Sequence, residues 1–452
     1  MRVVELDLDG PDGAVLSFRP APGPAVGPAS DPERGGYGTG RSGARPAAGR
    51  DRDVYALVRL RGRPVATVVC RIPPGRDPSD AVAAAARARL AGREPPAPPA
   101  TAVPRSTDDL PRTSVVVATR EGADRLARAL DSLLAQDHPD FEIVVVDNAP
   151  VTHATEDLVR LKYADRERVR VRCVREPVPG LAVAHNRGVA LADGAVIAFT
   201  DDDVVADPHW LTALTAPFAD DPRLGCTTGL ILPARLSTPA QILLESHGGF
   251  AKGFAPRTYD PAHPPADEPL FPFTAGSFGS GANMAFRATA LRNIGGFDPA
   301  TGTGTPARGG DDLYAFAGVL AAGHRLRYTP EALVWHHHRE TWQDLMNQAY
   351  GYGAGLTAYL TALLVRRPDL LPALLRKLPR GLAHARAITA HREGRAGAAS
   401  PGRHGAQDHP WPRHLSRLER RGMLAGPLGY VRARLRLRGV PLPSPDDRDG
   451  KR

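Results

Sequence analysis

GAVIAFTDDD, residues 194–203, joins a short apolar run to three consecutive aspartates. The run suits a strand buried on both faces. Two carboxylates about 4 Å apart repel by roughly 4 kcal/mol at an effective dielectric near 20, so water or a cation must offset the charge. In an extended strand end Asp201 and Asp203 point one way and Asp202 the other. That geometry offers two carboxylates to one hard cation and its oxygen-rich ligand. A solvated loop leading into a helix after Asp207-Pro208 is the plainer alternative.

Upstream, the same texture repeats. SVVVAT, FEIVVVD and RVRVRCV are strand-like. They alternate with helical stretches through LARALDSLLAQ, THATEDLVRLKYA and LAVAHNRGVALA. Apolar strands separated by amphipathic helices predict a mostly parallel sheet covered on both faces. Ligands of such sheets bind at the carboxyl ends of the strands. Thr119, Glu121, Asp147 and the three aspartates all fall at such ends.

The remaining composition bounds the reading. The chain has 452 residues and a formal charge of +9. Only Lys162, Lys252, Lys377 and Lys451 are lysines, so 54 of the 58 basic residues are arginine. With Gly and Pro also abundant, the charge does not imply a nucleic-acid partner, and no aromatic-basic or zinc-finger spacing accompanies it. Cys70, Cys173 and Cys226 are odd in number and far apart, which predicts buried thiols in a reducing compartment. MRVVELDLDG carries acids where a signal peptide needs a basic and then an apolar run. The longest apolar run, AGLTAYLTALLV, falls short of a membrane span, so a cytoplasmic protein is expected.

The organisation expected is a small α+β module at 1–94 with a disordered loop at 20–52 and a hairpin in VYALVRLRGRPVATVVCRI. A Pro-rich linker at 95–112 follows, then an α/β catalytic domain at 113–365. The last part, 366–452, reads as a helical, basic, partly disordered extension that packs on the body or lies on anionic lipid.

Three further stretches could carry chemistry. Asp311-Asp312 opens a helix after the Gly-rich GTGTPARGG, where acids also favour the helix dipole. VWHHHRET sets His336 and His338 on one side of a strand and His337 on the other. FGSGANMAFR, with Gly281, Asn283 and Arg287, suggests close backbone approach beside the site.

In this order, VVVATREGADRLARALDSLLAQ, FEIVVVDNAP, PGLAVAHNRGVALADGAVIAFTDDD, SGANMAFRATALRNIGGFD, GGDDLYAF and PEALVWHHHRET resemble the family 2 glycosyltransferases, inverting nucleotide-sugar enzymes of the GT-A fold. The resemblance runs from about Ser114 to about Leu364. It implies that Asp203 binds Mg²⁺ or Mn²⁺, with Asp201 near the ribose and the metal and His336 joining the metal or diphosphate site. Thr119, Glu121, Asp147, Asn186 and Asp202 are implied on the donor side. Asp312 is implied as general base, with Asp311 beside it where the family usually has Glu. Gly281, Asn283 and Arg287 are implied on the acceptor side. His185 stands where the family usually has Arg. The implied partners are a nucleotide-sugar donor and a hydroxyl acceptor: a glycan such as that of the cell envelope, a polyprenyl-linked sugar or a small molecule. Peripheral contact with the inner face of the membrane would run through the basic C-terminal segment. The polymerising relatives' Q-x-x-R-W signature is missing, so single-sugar transfer is expected. The rival readings are a catalytically silent scaffold of the same fold and a sugar nucleotidyltransferase; the latter needs a Gly-rich, basic phosphate loop that VVVATREGADRL lacks.

Overall fold

The computed structural model describes residues 1–21, 52–92, 109–164, 168–247, 249–392 and 411–444. Most of the loop expected at 20–52 and of the linker expected at 95–112 lies outside the described residues, as does 393–410 of the C-terminal extension. Contacts divide the chain into two units, one built on the N-terminal residues with Ala234–Ser237 and the other on the remainder.

In the first unit β1 (Arg2–Leu8), β2 (Val15–Pro20), β3 (Arg52–Leu60) and β4 (Arg63–Ile72) form a sheet in the order β2-β1-β3-β4. The expected hairpin is β3-β4, paired antiparallel. Helix α1 (Pro78–Leu90) starts where Asp77 accepts from the Ser79 and Asp80 amides, and buries Val82, Ala83, Ala86 and Leu90. The Glu5 carboxylate is buried there, matched by Arg59 at 2.9 Å and Arg19 at 3.1 Å.

The second unit opens with β5 (Thr113–Thr119), α2 (Ala123–Leu134), β6 (Phe141–Asn148), α3 (Ala154–Lys162), β7 (Arg170–Glu176), α4 (Leu181–Leu191) and β8 (Val196–Asp201). All four strands run parallel, ordered β8-β5-β6-β7. Their unbroken apolar sequences follow from burial on both faces. Val116, Val144, Ile197 and Phe199 enter one core with α4, while Val115, Val117, Ile143 and Ala198 enter the other with α2. Each of the valine, isoleucine and phenylalanine side chains removed from water stabilises the fold by about 1.5–3 kcal/mol. Period-two alternation puts Asp201 on the face of Phe199.

The chain then adds β9 (Val204–Ala206), α5 (Trp210–Thr215), α6 (Pro217–Asp220), β10 (Leu224–Pro233), α7 (Pro239–Ser246), β11 (Arg257–Tyr259), β12 (Asn283–Arg287) and α8 (Ala288–Asn293). It continues through α9 (Asp311–Ala321), β13 (Arg325–His336), α10 (Trp342–Arg366), α11 (Leu371–Arg392) and α12 (Arg413–Arg436). β12 runs antiparallel between β8 and β10, and β13 runs parallel to β10. The result is a nine-stranded, mostly parallel sheet flanked by helices, the fold class expected.

β6 and β7 lie on one side of β5 and β8 on the other, so the strand order reverses between β5 and β8. That reversal is where an open α/β sheet leaves a crevice. The C-terminal helix packs on α10 through small residues: a Cβ on Gly422 would lie 2.1 Å from the Tyr350 carbonyl oxygen and one on Gly353 1.9 Å from that of Glu419. Among the described residues no helix is long and apolar enough to cross a membrane.

Candidate metal and donor site

β8 ends at Asp201, and the chain turns through Asp202 and Asp203 into β9. The turn separates the three carboxylates as strand alternation predicts. Asp202 leaves the cluster: it accepts from the Thr119 hydroxyl at 2.6 Å and from Arg125 Nη2 at 3.3 Å. Asp201 and Asp203 converge instead with His336, at the end of β13, their ligand atoms lying within 4.8 Å of one another. β13 delivers His336 there because β9 pairs with its last residues, His336 opposite Val204.

Burial raises the Asp201 carboxyl well above the ordinary range, and Asp203, Asp202 and Asp311 push it further. Burial also raises Asp203, against the pull of Arg339 and Arg125. Arg339 Nη1, itself exposed, pairs with Asp203 Oδ2 at 3.8 Å. Asp203 Oδ1 is buried with no hydrogen-bond donor among the described residues. Such an oxygen is costly unless something positive meets it.

The histidines sharpen this. His338 Nε2 lies 3.2 Å from Glu245 Oε2, and a carboxylate only accepts, so this nitrogen carries the proton. His338 Nδ1 lies 3.1 Å from His336 Nδ1. Burial and the neighbouring His338 and Arg339 hold His336 well below the ordinary imidazole range, which keeps it neutral. His336 Nε2 faces Asp203 Oδ1 at 3.4 Å. Two carboxylates and an imidazole form a donor set that suits Mn²⁺ or Mg²⁺ with substrate oxygens completing the shell. Phe250 packs against both rings, at 5.1 and 5.5 Å between centroids.

Asp312 sits beside this cluster. Its Oδ2 accepts from the Gly281 amide at 2.9 Å and its Oδ1 from the Leu313 amide at 2.8 Å. Gly281 lies two residues before β12, whose Asn283 pairs with Thr200 next to Asp201. Burial, with Asp311 adding repulsion, lifts the Asp312 carboxyl to about 6. Gly310 precedes it at φ 90° and permits the sharp entry into α9. The two departures from the family pattern meet each other. His185 Nδ1 is 3.4 Å from Asp311 Oδ2, with its ring held between Phe199 and Phe297.

At the crevice rim Asp147 is buried with Oδ1 lacking a donor, and burial raises its carboxyl. Glu121, at φ 50°, is already engaged. It accepts from the Val151 amide at 2.7 Å and from the Thr152 amide and hydroxyl at 2.9 and 2.7 Å. Those bonds hold its carboxyl below the usual range and make it a brace for the 149–152 loop.

Four expected site residues are occupied elsewhere. Asn186 spends its amide on the Phe297 backbone, donating to the carbonyl at 2.8 Å and accepting from the N–H at 2.9 Å. Asn283 donates to Leu230 and Ala332 carbonyls and accepts from Trp210 Nε1, which joins β10, β12 and β13 in the core. Arg287 is at the far end of β12, about 13 Å along the strand from Asn283. There it donates to the Leu224, Phe218 and Asp221 carbonyls. Asp202 serves the β5–α2 corner rather than the cluster. Sequence reading missed Arg339 and Glu245. Arg339 adjoins the histidine triplet, whereas Glu245 is 93 residues from His338 and carries no local signal.

The fold thus brings an acidic, imidazole-bearing candidate metal site to the strand ends of a mixed α/β sheet. Residues 114–295 match the model of glycosyl transferase family 2. It is 29% identical over 262 residues to the pre-mycofactocin glycosyltransferase of Mycobacterium tuberculosis, covering 57% of this chain and 48% of the relative. The validoxylamine A glucosyltransferase of Streptomyces hygroscopicus is 35% identical over 133 residues, 28% of this chain and 31% of its own. The glucosyl-dolichyl phosphate glucuronosyltransferase of Haloferax volcanii is 24% identical over 42% of this chain and 57% of its own. The chain thus spans about half the length of the first of these relatives. Among solved structures, a mannosyltransferase from Pyrobaculum calidifontis in complex with GDP-Man and Mn²⁺ superposes with a TM-score of 0.45. It is 18% identical and covers 73% of this chain and 90% of that one.

Proposed function

We propose that the chain is a metal-dependent inverting glycosyltransferase that moves one sugar from a nucleoside diphosphate sugar to a hydroxyl acceptor. The observation that carries this reading is the convergence of Asp201, Asp203 and His336 on one cluster, with Asp312 at the neighbouring strand end.

Asp201, Asp203 and His336 would hold a divalent cation, Mg²⁺ or Mn²⁺. When bound, that ion supplies Lewis-acid stabilisation of the diphosphate leaving group. The chain's own residues do the rest. Thr119, Asp147 and the Glu121-braced loop form the donor-side rim at the carboxyl ends of β5 and β6. Asp312, fixed by two amides, takes the proton from the acceptor hydroxyl as it attacks. A carboxyl lifted to about 6 is a better base than an ordinary aspartate and still ionised at neutral pH. One displacement with base and leaving group on opposite faces inverts the anomeric centre. Asp311, held by His185, keeps the proton demand on Asp312 high through its charge.

The relatives' names point to different acceptors, so the acceptor class proposed stays broad: a glycan, a polyprenyl-linked sugar or a small molecule. Cytoplasmic work at the inner membrane face is part of the same reading. Metal-dependent hydrolysis of nucleoside diphosphate sugars, followed across UDP-, GDP- and dTDP-linked donors, tests it. Release of nucleoside diphosphate with Mn²⁺ from one donor series supports transfer chemistry. No release from any donor, with or without acceptor alcohols, supports the scaffold reading instead.

A further inference from the structure

We propose that α12 is a peripheral membrane-binding element whose outer face lies on an anionic lipid surface. The helix has two apolar faces. One buries Leu415, Gly422, Gly426, Tyr430 and Ala433. The close glycine contacts seat that face on α10, and Thr357 ties the pair by donating to the Met423 carbonyl at 2.8 Å. The helix is therefore firmly placed without its second face.

That second face is Leu424, Leu428, Val431 and Leu435, exposed by 84, 53, 48 and 63%. Steps of four, three and four residues put them in one stripe about 16 Å long. Single exposed leucines are ordinary, whereas four in register on one helix form a patch that water does not favour.

Charge decides what covers it. The helix carries seven arginines against one glutamate. Arg417, Arg420 and Arg421 lie just before the stripe, and Arg432 and Arg436 flank its end, all exposed and without an ion-pair partner among the described residues. Arg434 is engaged at Tyr430, and Arg413 has a partner as well. A second copy of the chain would bring the same positive charge against itself. Phosphate headgroups accept guanidinium hydrogen bonds in pairs, while acyl chains receive the leucines. An apolar stripe rimmed by arginine is the pattern of a helix lying in the interface plane. Helix α11 repeats it in brief, with Leu371, Leu375 and Leu378 exposed beside Arg376 and Arg380.

This surface needs no assumption about catalysis. The full chain is mixed with phosphatidylcholine vesicles with and without phosphatidylglycerol, and the bound fraction is read by flotation. The chain is expected to float with the anionic vesicles and not with the neutral ones. Arg417→Ser, Arg420→Ser and Arg421→Ser together should weaken partitioning on the order of a hundredfold, three charges at about fivefold each. Leu424→Glu with Leu428→Glu should weaken it on the order of tenfold or more, with an unchanged melting temperature. Should the glutamates disturb α12, the arginine variant, altered only at exposed positions, still carries the test. Absence of flotation, or equal flotation with neutral vesicles, overturns the proposal. So does a dimer in light scattering that the double glutamate variant dissolves, because the stripe would then be a contact between copies.

Discussion

His336 and His338 meet Nδ1 to Nδ1 at 3.1 Å, and Glu245 closes the far end of the pair at 3.2 Å from His338 Nε2. A chain of groups running Glu245–His338–His336 thus sets which nitrogen of His336 faces Asp203. Outer partners of this kind hold a ligating imidazole in one tautomer and orientation.

Glu245→Gln removes the group that fixes the direction of this chain. Mn²⁺ affinity should fall about 10–100-fold, since loss of an outer partner typically has that effect. Titration calorimetry with Mn²⁺ alone measures it, and an unchanged Kd would show that Glu245 does not orient the site.

Asp312→Asn should leave donor binding intact and slow transfer on the order of 10²–10⁴-fold. In the parent protein kcat/KM should decline as pH drops through about 6, because the carboxyl must be ionised to accept a proton and its range is raised to that value. A rate profile flat from neutral pH down to the ordinary aspartate range would move the base elsewhere, with Asp311 the next residue to change.

Asn283→Ala should act on stability rather than on acceptor recognition. It strands the Trp210 N–H and two carbonyls in the core, at roughly 1–3 kcal/mol for each buried group left unmatched. Urea unfolding would show the loss. An unaltered midpoint with a raised acceptor KM would return Asn283 to the acceptor side.

How much of this was legible in the sequence follows from where each signal comes from. The sheet was legible because strands such as Val115–Val117 feed two cores in alternation and so read as unbroken apolar runs. Asp201, Asp203 and Asp312 stand out in the sequence as acids at strand and helix ends, and the family resemblance supplied the roles expected of them. Asn186, Asn283 and Arg287 bond backbone groups here, which the sequence does not show. A motif can owe its polar residues to buried backbone that must be hydrogen-bonded, and sequence does not show which way a side chain turns. β13 also stops at His336, so the bond between His336 and His338 comes from the chain leaving the strand and not from strand alternation. Glu245 arrives from α7, a contact only the tertiary fold makes.

The central claim is that Asp201, Asp203 and His336 hold the cation that carries the donor diphosphate. Thermal-shift measurements with UDP, GDP, dTDP and CDP, each with and without Mn²⁺, on the parent protein and on Asp203→Asn test it most directly. Saturation at about 100 times Kd stabilises the native state by roughly 2.7 kcal/mol, a readable shift. The account predicts a shift for one nucleotide that requires Mn²⁺ and is lost in Asp203→Asn while the variant stays folded. A nucleotide shift of equal size without metal, or one that survives in Asp203→Asn, would contradict it.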